Sequence, residues 1–236
     1  MKTRKILSFL SIICLFSLTS CFNIIEEIFL NKDGTGRYLL TADISSMLAM
    51  KDLLMGQIEG NTGKKVSKSD KIDSVIAFKD MADSIRRRFV HPELIEVSSM
   101  RMVVNEETGV MKFTLEFPFK DLSEISLLQE DLQRYGKRKA GQKITGFFGY
   151  VPHLVKEKRS MERTSVISNV GENPDYDFVK NALSRARIKT IYHLPGKVKS
   201  TTIPDAVIQG DQCELEVSFN DFITGKKSID GKVVFK

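Results

Sequence analysis

Cys21 is the residue whose setting most clearly predicts a chemical event, because it directly follows a leader of secretory type. Three positive charges within residues 1–5 precede an apolar run over residues 6–18, and two small residues then lead to Cys21. A basic start, an apolar stretch of this length and small residues at the cleavage site are the parts of a secretion signal. The run is too short to cross a bilayer core of about 30 Å, which needs about 20 residues. We therefore predict that residues 1–20 are a signal peptide that is removed.

The end of this leader, Leu18-Thr19-Ser20-Cys21, resembles the lipobox of bacterial lipoproteins, in which a Leu lies three residues before the modified Cys. The resemblance implies cleavage before Cys21, a diacylglyceryl thioether on its sulfur and acylation of its new amino group, with palmitate as the expected chain. Two or more chains, at ~0.8 kcal/mol per buried CH₂, anchor a protein stably where one does not. The expected location is the cell envelope, lipid-anchored to the outer membrane. The alternative is an ordinary signal peptide in which Cys21 is not the lipidated residue.

The remaining cysteine of the mature chain, Cys213, has no partner for an internal disulfide, because Cys14 leaves with the signal and Cys21 carries lipid. It lies in the alternating segment 212–217, which predicts a strand. A reactive thiol needs an accessible, electropositive setting, whereas Glu214 and Glu216 flank this one. We therefore expect a buried core thiol.

Other side chains that could do chemistry lack the spacing for it. The three histidines, His91, His153 and His193, are far apart and have no metal-ligand spacing. The adjacent acids Glu26-Glu27 and Glu106-Glu107 point to opposite faces of a strand, so neither pair can act jointly as acid and base. Phosphate-binding, dinucleotide and nucleophile-elbow motifs are absent from the sequence. We predict no catalytic residue, no metal and no cofactor; a site assembled from distant residues is the alternative.

One segment, residues 144–152, is aromatic and lies between basic clusters at 137–143 and 156–163. Aromatic residues between basic clusters can lie at a membrane interface or hold an anionic apolar ligand. The candidate lipid or membrane contacts in this segment are Phe147, Phe148 and Tyr150. The alternative is a buried strand or loop whose charged flanks stay solvated.

The composition of the mature chain is that of a globular protein, with 42% hydrophobic and 28% charged residues over the whole sequence. Removal of the leader lowers the formal charge from +6 to +3, which is too little to indicate a nucleic-acid partner. Its length suffices for one large or two small domains. We divide the chain into the signal peptide 1–20 and two α+β regions, 21–135 and 136–236, which could also form a single domain.

Periodicity predicts an α+β fold: an antiparallel sheet of hairpins with helices packed on it. Hairpins are expected at 24–44 and 94–117, helices at 45–55, 70–89, 121–135 and 174–187, and closing strands at 188–194, 198–203, 212–219 and 228–235. Three strands run into an Asp that is followed by an apolar residue and a nearby Ser or Thr, at Asp43, Asp121 and Asp221. We expect these aspartates to cap exposed backbone N–H groups.

Two segments resemble the LppM-like group of bacterial envelope lipoproteins. They are the strand-turn-strand Glu26–Leu40, directly behind the lipid cysteine, and the element Tyr192–Val198, which precedes the closing strands. The resemblance implies a lipid-anchored α+β envelope domain and transfers no catalytic residue.

These inferences predict a membrane-anchored, non-enzymatic binding or assembly module whose ligand is an envelope protein, a lipid or a cell-wall polymer. A second hypothesis is a lipid-handling module that uses residues 144–152 and an apolar cleft beneath the helix expected at 70–89. A third is an enzyme with a spatially assembled site.

Overall fold

The computed structural model describes residues 23–45, 48, 71–140, 150–167 and 186–236, with the backbone alone for 136–140. The strands are β1 Asn23–Leu30, β2 Gly36–Asp43, β3 Ile72–Ala77, β4 Ser99–Asn105, β5 Val110–Phe119, β6 Tyr150–Glu157, β7 Ser160–Ile167, β8 Arg187–His193, β9 Val198–Thr201, β10 Val207–Gln209, β11 Gln212–Ser218 and β12 Gly231–Phe235. The helices are α1 Asp83–Arg86, α2 Pro92–Glu96, α3 Ser123–Ala140 and α4 Phe219–Ile223, and a single 3₁₀ turn covers Phe78–Asp80.

These strands form two sheets. The larger sheet has eight strands in the order β10-β11-β8-β1-β2-β5-β4-β3, and the smaller has four in the order β6-β7-β12-β9. All described pairings are antiparallel except that of β1 with β8. The predicted α+β fold, an antiparallel sheet with helices on it, is thus confirmed. Strands from both regions of the predicted division share the larger sheet.

The first hairpin, β1 and β2, forms where the alternating pattern and the glycine-rich turn predict it. Alternate residues of β1 from Ile24 to Leu30 are buried, and the residues between them are partly exposed. The turn is closed by a backbone hydrogen bond from Asn31 to Thr35 (2.8 Å). Gly34 has a φ of 98°, a left-handed conformation that costs glycine little. The hairpin therefore presents one face to the core and ends in a tight turn.

Helix α3 contacts both sheets and is held by polar as well as apolar contacts. Ile125 and Leu128 of its predicted stripe are buried, and so is Leu122 directly before the helix. The hydroxyl of Ser126 donates to the carbonyl of Pro152 in β6 (2.6 Å). Residues of both sheets and of α3 belong to one hydrophobic core.

Two of the three expected aspartate caps are confirmed with nearly the same geometry. The carboxylate of Asp43 accepts from the backbone N–H and the hydroxyl of Ser45 (3.1 and 2.5 Å). Asp121 accepts from the same two groups of Ser123 (2.9 and 2.6 Å). The third expectation is wrong, because Ser218 caps α4 and accepts from the backbone N–H of Asp221 (3.4 Å).

The helix expected over 70–89 is wrong, and so is the apolar cleft expected beneath it. Residues 72–77 form β3, which pairs with β4 at the edge of the larger sheet. Val75 and Ile76 are 65% and 44% exposed, so their helical spacing does not mark a buried helix face. β-branched residues also fit a pleated strand, and pairing with β4 decides between the two.

Other boundaries also differ from those expected. Pro92 lies in the first turn of α2, where its missing N–H costs nothing. The second hairpin, expected from residue 94, begins only at Ser99. β7, β10 and α4 were not predicted. The helices expected at 45–55 and 174–187 fall largely outside the described residues, although Arg187 begins β8.

Candidate ligand-binding site

A cavity of about 640 Å³ opens where β1 and β8 end. Its wall is formed by the turn after β1, the loop after β8 and the turn between β10 and β11, and its side chains include Phe29, Lys32, His193, Pro195, Lys197 and Asp211. This volume lies within the range of small-molecule sites. The cavity is shallow and widely open to solvent, and it combines apolar rings with charged groups.

The floor of the cavity is a stack of two rings. The rings of Phe29 and His193 are nearly parallel, with 4.0 Å between their centroids and 4° between their planes. The guanidinium carbon of Arg37 lies 4.7 Å from the centroid of the Phe29 ring. Strand register explains the arrangement, because Phe29 is directly opposite Arg37 in β2 and His193 in β8. The three side chains therefore form one row across the open face of the sheet.

Both ring nitrogens of His193 have partners. Nε2 lies 3.3 Å from Oε2 of Glu27, and Nδ1 lies 3.2 Å from the amide nitrogen of Gln212. The carboxylate and the amide together occupy both ring nitrogens. These contacts fix the ring as a flat platform and occupy the atoms that a proton shuttle would need free.

Two lysines at the cavity, Lys32 and Lys197, have no ion-pair partner among the described residues. The ammonium of Lys156 donates to the backbone carbonyl of Lys32 (3.1 Å), and the Asp33 carboxylate of the same turn offsets its charge. Asp211 is the acidic side chain of the lining. The lining therefore carries an excess of positive charge.

The wall is held in place by backbone contacts. The backbone N–H groups of Leu194 and Val198 donate to the carbonyls of Asp211 (2.9 Å) and Gly210 (2.8 Å). A Cβ at Gly196 would lie 2.0 Å from the carbonyl oxygen of Lys236, so only glycine fits there. The loop after β8 is thus tied to the turn between β10 and β11, and the cavity exists before a ligand arrives.

A second cluster of functional groups lies on the opposite, buried face of β1. The guanidinium of Arg163 in β7 forms an ion pair with the carboxylate of Glu26, and both side chains are 0% exposed. The hydroxyls of Tyr38 (2.9 Å) and Thr190 (3.2 Å) also donate to Glu26. Arg163 in turn donates to the hydroxyl of Tyr192 (3.2 Å). This network joins the smaller sheet to three strands of the larger one.

Burial sets the protonation of this network. Burial raises the pKa of Tyr192 to about 12 and, with the charge of Glu26, holds the pKa of Tyr38 well above its ordinary value. Burial would by itself lower the pKa of Arg163, but the neighbouring Glu26 carboxylate raises it well above its ordinary value. Both tyrosines therefore stay neutral, Tyr38 as a donor to Glu26 and Tyr192 as an acceptor from Arg163, and Arg163 stays charged. Because the ion pair is sealed from solvent, its role is to hold the sheets together.

The residues predicted as functional fall in three places. Cys21, Phe147 and Phe148 lie outside the described residues. Tyr150, the third candidate lipid contact, is buried, and its ring packs edge-on against Phe222 with 5.1 Å between centroids. A ring in this position belongs to the core and is not presented to a membrane surface. Cys213 is a buried free thiol whose pKa is raised by burial, as its setting predicts.

The three histidines lie apart, and only His193 lines the cavity. In the described ranges, no cluster of three or more His, Cys, Asp or Glu side chains is arranged to hold a metal ion. Within the same ranges, no helix has the length and apolar character needed to cross a membrane.

Sequence reasoning missed the residues that make both clusters. Phe29, Lys32 and Lys197 carry no motif and meet only because β1 and β8 end side by side. Glu26 could have been predicted as a buried charge, because it occupies a position on the buried face, between Ile24 and Ile28, of an alternating strand. A charge at such a position predicts a buried partner.

Comparisons with known proteins give a likeness to a solved structure. No protein-family model matches the chain, and no curated protein matches it. Among solved structures, the chain is similar to the NMR structure of the folded domain of LppM from Mycobacterium tuberculosis. The identity is 10% and the TM-score 0.41, over 92% of this chain and 91% of that chain. The sequence motifs at Glu26–Leu40 and Tyr192–Val198 indicate a resemblance to the same LppM-like group.

Proposed function

We propose that the protein is a lipid-anchored lipoprotein of the cell envelope that acts as a non-enzymatic binding module, with the cavity at the end of β1 and β8 as its ligand site. The observation that carries this proposal is the cavity itself: a fixed stack of Phe29 and His193 beside Lys32 and Lys197, neither of which has an ion-pair partner in the described part of the chain. A flat apolar floor beside positive charges suits an anion that also has a ring or an apolar part. Acidic headgroups and cell-wall polymers both offer this chemistry.

The polar clusters on the described part of the chain support binding over catalysis. The nitrogens of His193 are held by Glu27 and Gln212, and the ion pair of Glu26 with Arg163 is closed to solvent. A general base must reach a substrate proton directly or through one water. The ring nitrogens of His193, the candidate base at the cavity, are already hydrogen-bonded. A substrate cannot reach the buried carboxylate of Glu26.

The anchor is tested by Cys21→Ser. We expect the variant to lose incorporation of labelled palmitate and to leave the membrane fraction, because no acyl chain can then be attached. Residues 1–20 should be absent from the N-terminus of the wild-type protein by mass spectrometry. Palmitate incorporation that is unchanged in Cys21→Ser would exclude Cys21 as the lipidated residue.

The pocket is tested with phenyl phosphate as a small amphipathic anion, and with inorganic phosphate and benzyl alcohol as its separate halves. Binding is followed by NMR shifts of the His193 ring. Phenyl phosphate should bind more tightly than either half, because it uses the rings and the lysines together. Shifts of equal size with all three compounds, or with none, would contradict the proposal.

The contribution of the lysines is isolated by the double variant Lys32→Gln/Lys197→Gln. We expect it to weaken phenyl phosphate binding about tenfold, since two exposed ion pairs of about 0.7 kcal/mol each, within the usual range of about 0.2–1 kcal/mol, together give the roughly 1.4 kcal/mol of a tenfold change. The matched control Lys79→Gln/Lys226→Gln removes the same charge from exposed positions outside the lining and should bind like wild type.

A further inference from the structure

The chain leaves almost no linker between the proposed anchor and the folded domain. Cys21 is two positions before Asn23, the first residue of β1. Two residues span at most about 7 Å when fully extended. The end of the larger sheet that contains Asn23 must therefore lie close to the membrane to which Cys21 is attached.

The cavity lies at the other end of the same strand. Asn23 is opposite Asp43 and Arg187, whereas Phe29 is opposite Arg37 and His193. Six residue steps separate Asn23 from Phe29, and at about 3.3 Å per step this is about 20 Å along the strand. The strand that begins at the anchor thus ends in the ligand site.

The open face of the sheet does not favour lying flat on a bilayer. Around β8 and β11 it carries cross-strand ion pairs, Lys189 with Glu214 (2.7 Å) and Arg187 with Glu216 (2.9 Å). These pairs balance in charge, so they offer an anionic surface no net attraction. Burying them among headgroups would remove their hydration. An end-on position leaves them in water.

We infer that the anchor holds the domain end-on, with its cavity facing away from the anchoring membrane, and that the site takes an amphipathic anion from the aqueous side, such as an acidic cell-wall polymer. This inference rests on the proposed function for the lipid on Cys21 and for the ligand site. About 20 Å is more than two Debye lengths at physiological ionic strength, where the Debye length is about 8 Å. The surface charge of the anchoring membrane is therefore screened at the cavity.

The orientation is tested with the full lipidated protein in vesicles of phosphatidylcholine, with and without phosphatidylglycerol. A fluorescent donor is attached through Asp33→Cys, in the turn at the cavity end, or through Glu107→Cys, in the turn after β4, at the anchor end. The acceptor is a dye on the lipid headgroups. Both sites are exposed, whereas Cys213 is buried and should not react. Energy transfer should be clearly more efficient from position 107; equal transfer, or more from position 33, would overturn the inference.

The ligand source is tested in the same vesicles with phenyl phosphate. Its dissociation constant should be unchanged within about twofold when phosphatidylglycerol is added, because the membrane charge is screened at the cavity. Clear weakening by phosphatidylglycerol would show that headgroups compete for the site and would overturn the aqueous source. Absence of phenyl phosphate binding, with transfer still highest from position 107, would overturn the ligand site and its source while supporting the orientation.

Discussion

Glu26→Gln removes the charge of the buried carboxylate but keeps its size and one acceptor oxygen for the hydroxyl of Tyr38. The charge of Arg163 is then left unpaired in a fully buried position. Removing one partner of a buried ion pair costs about 3–5 kcal/mol, and Arg163→Met should cost a similar amount by leaving Glu26 unpaired. Either cost is a large part of the free energy of unfolding, which is typically about 5–15 kcal/mol in total.

The double variant Glu26→Gln/Arg163→Met should be more stable than either single variant. It leaves no buried charge, and its remaining cost is that of imperfect hydrogen bonds, about 1–3 kcal/mol. The free energies of unfolding of the wild type, the two single variants and the double variant are measured by urea unfolding, monitored by far-UV circular dichroism. As a control, Asp73→Asn/Arg101→Met breaks an exposed bidentate pair (2.9 and 2.8 Å) and should change stability by at most about 1 kcal/mol. A buried double variant as unstable as the sum of its singles would refute this reasoning.

Three further outcomes are expected. Burial raises the pKa of Tyr192 to about 12 and holds that of Tyr38 well above its ordinary value, so the folded state keeps protons that the unfolded chain releases above about pH 10; stability is therefore full below that pH and falls as the pH rises through about 12. Tyrosinate absorbance, with no Trp in this chain to overlap it, should rise together with loss of circular dichroism. Cys213→Ala should cost on the order of 1 kcal/mol in urea unfolding and leave ligand binding unchanged, whereas loss of binding with normal stability would reveal a chemical role of the thiol. The mature chain without lipid should bind anionic liposomes weakly in co-sedimentation and lose binding as the salt concentration increases. Liposome binding that persists at high salt and is lost in Phe147→Ser/Phe148→Ser, with the fold retained, would favour the lipid-handling hypothesis.

Local patterns predicted the first hairpin well because each part of it has a local cause. The alternation in residues 24–30 sets the buried face, and Gly34 supplies the left-handed turn. The stripe of helix α3 and the caps at Asp43 and Asp121 are equally local. Each of these features depends on residues within a few positions in sequence.

The errors arose where a partner distant in sequence decides the structure. Residues 72–77 carry apolar residues at helical spacing, but pairing with β4 makes them an edge strand. The sequence pattern does not predict β7, because Arg163 interrupts its apolar face. Arg163 is accommodated there by its ion pair with Glu26, which is 137 positions away in the sequence. The same holds for the cavity, which depends on the parallel pairing of β1 with β8.

The adjacent acids Glu26 and Glu27 show how one strand serves both clusters. Alternation sends Glu26 into the core, where it holds Arg163, and Glu27 to the open face, where it holds the ring of His193. The expectation that the two carboxylates cannot act as a pair is consistent with these separate partners. Two positions further along, Phe29 lies on the same face as Glu27 and stacks on that ring. A one-residue slip of β1 would exchange the faces, exposing Ile24 and Ile28 and removing Phe29 from the floor of the cavity. The burial of Ile24, Glu26 and Ile28 on one face therefore fixes the register on which the ligand site depends.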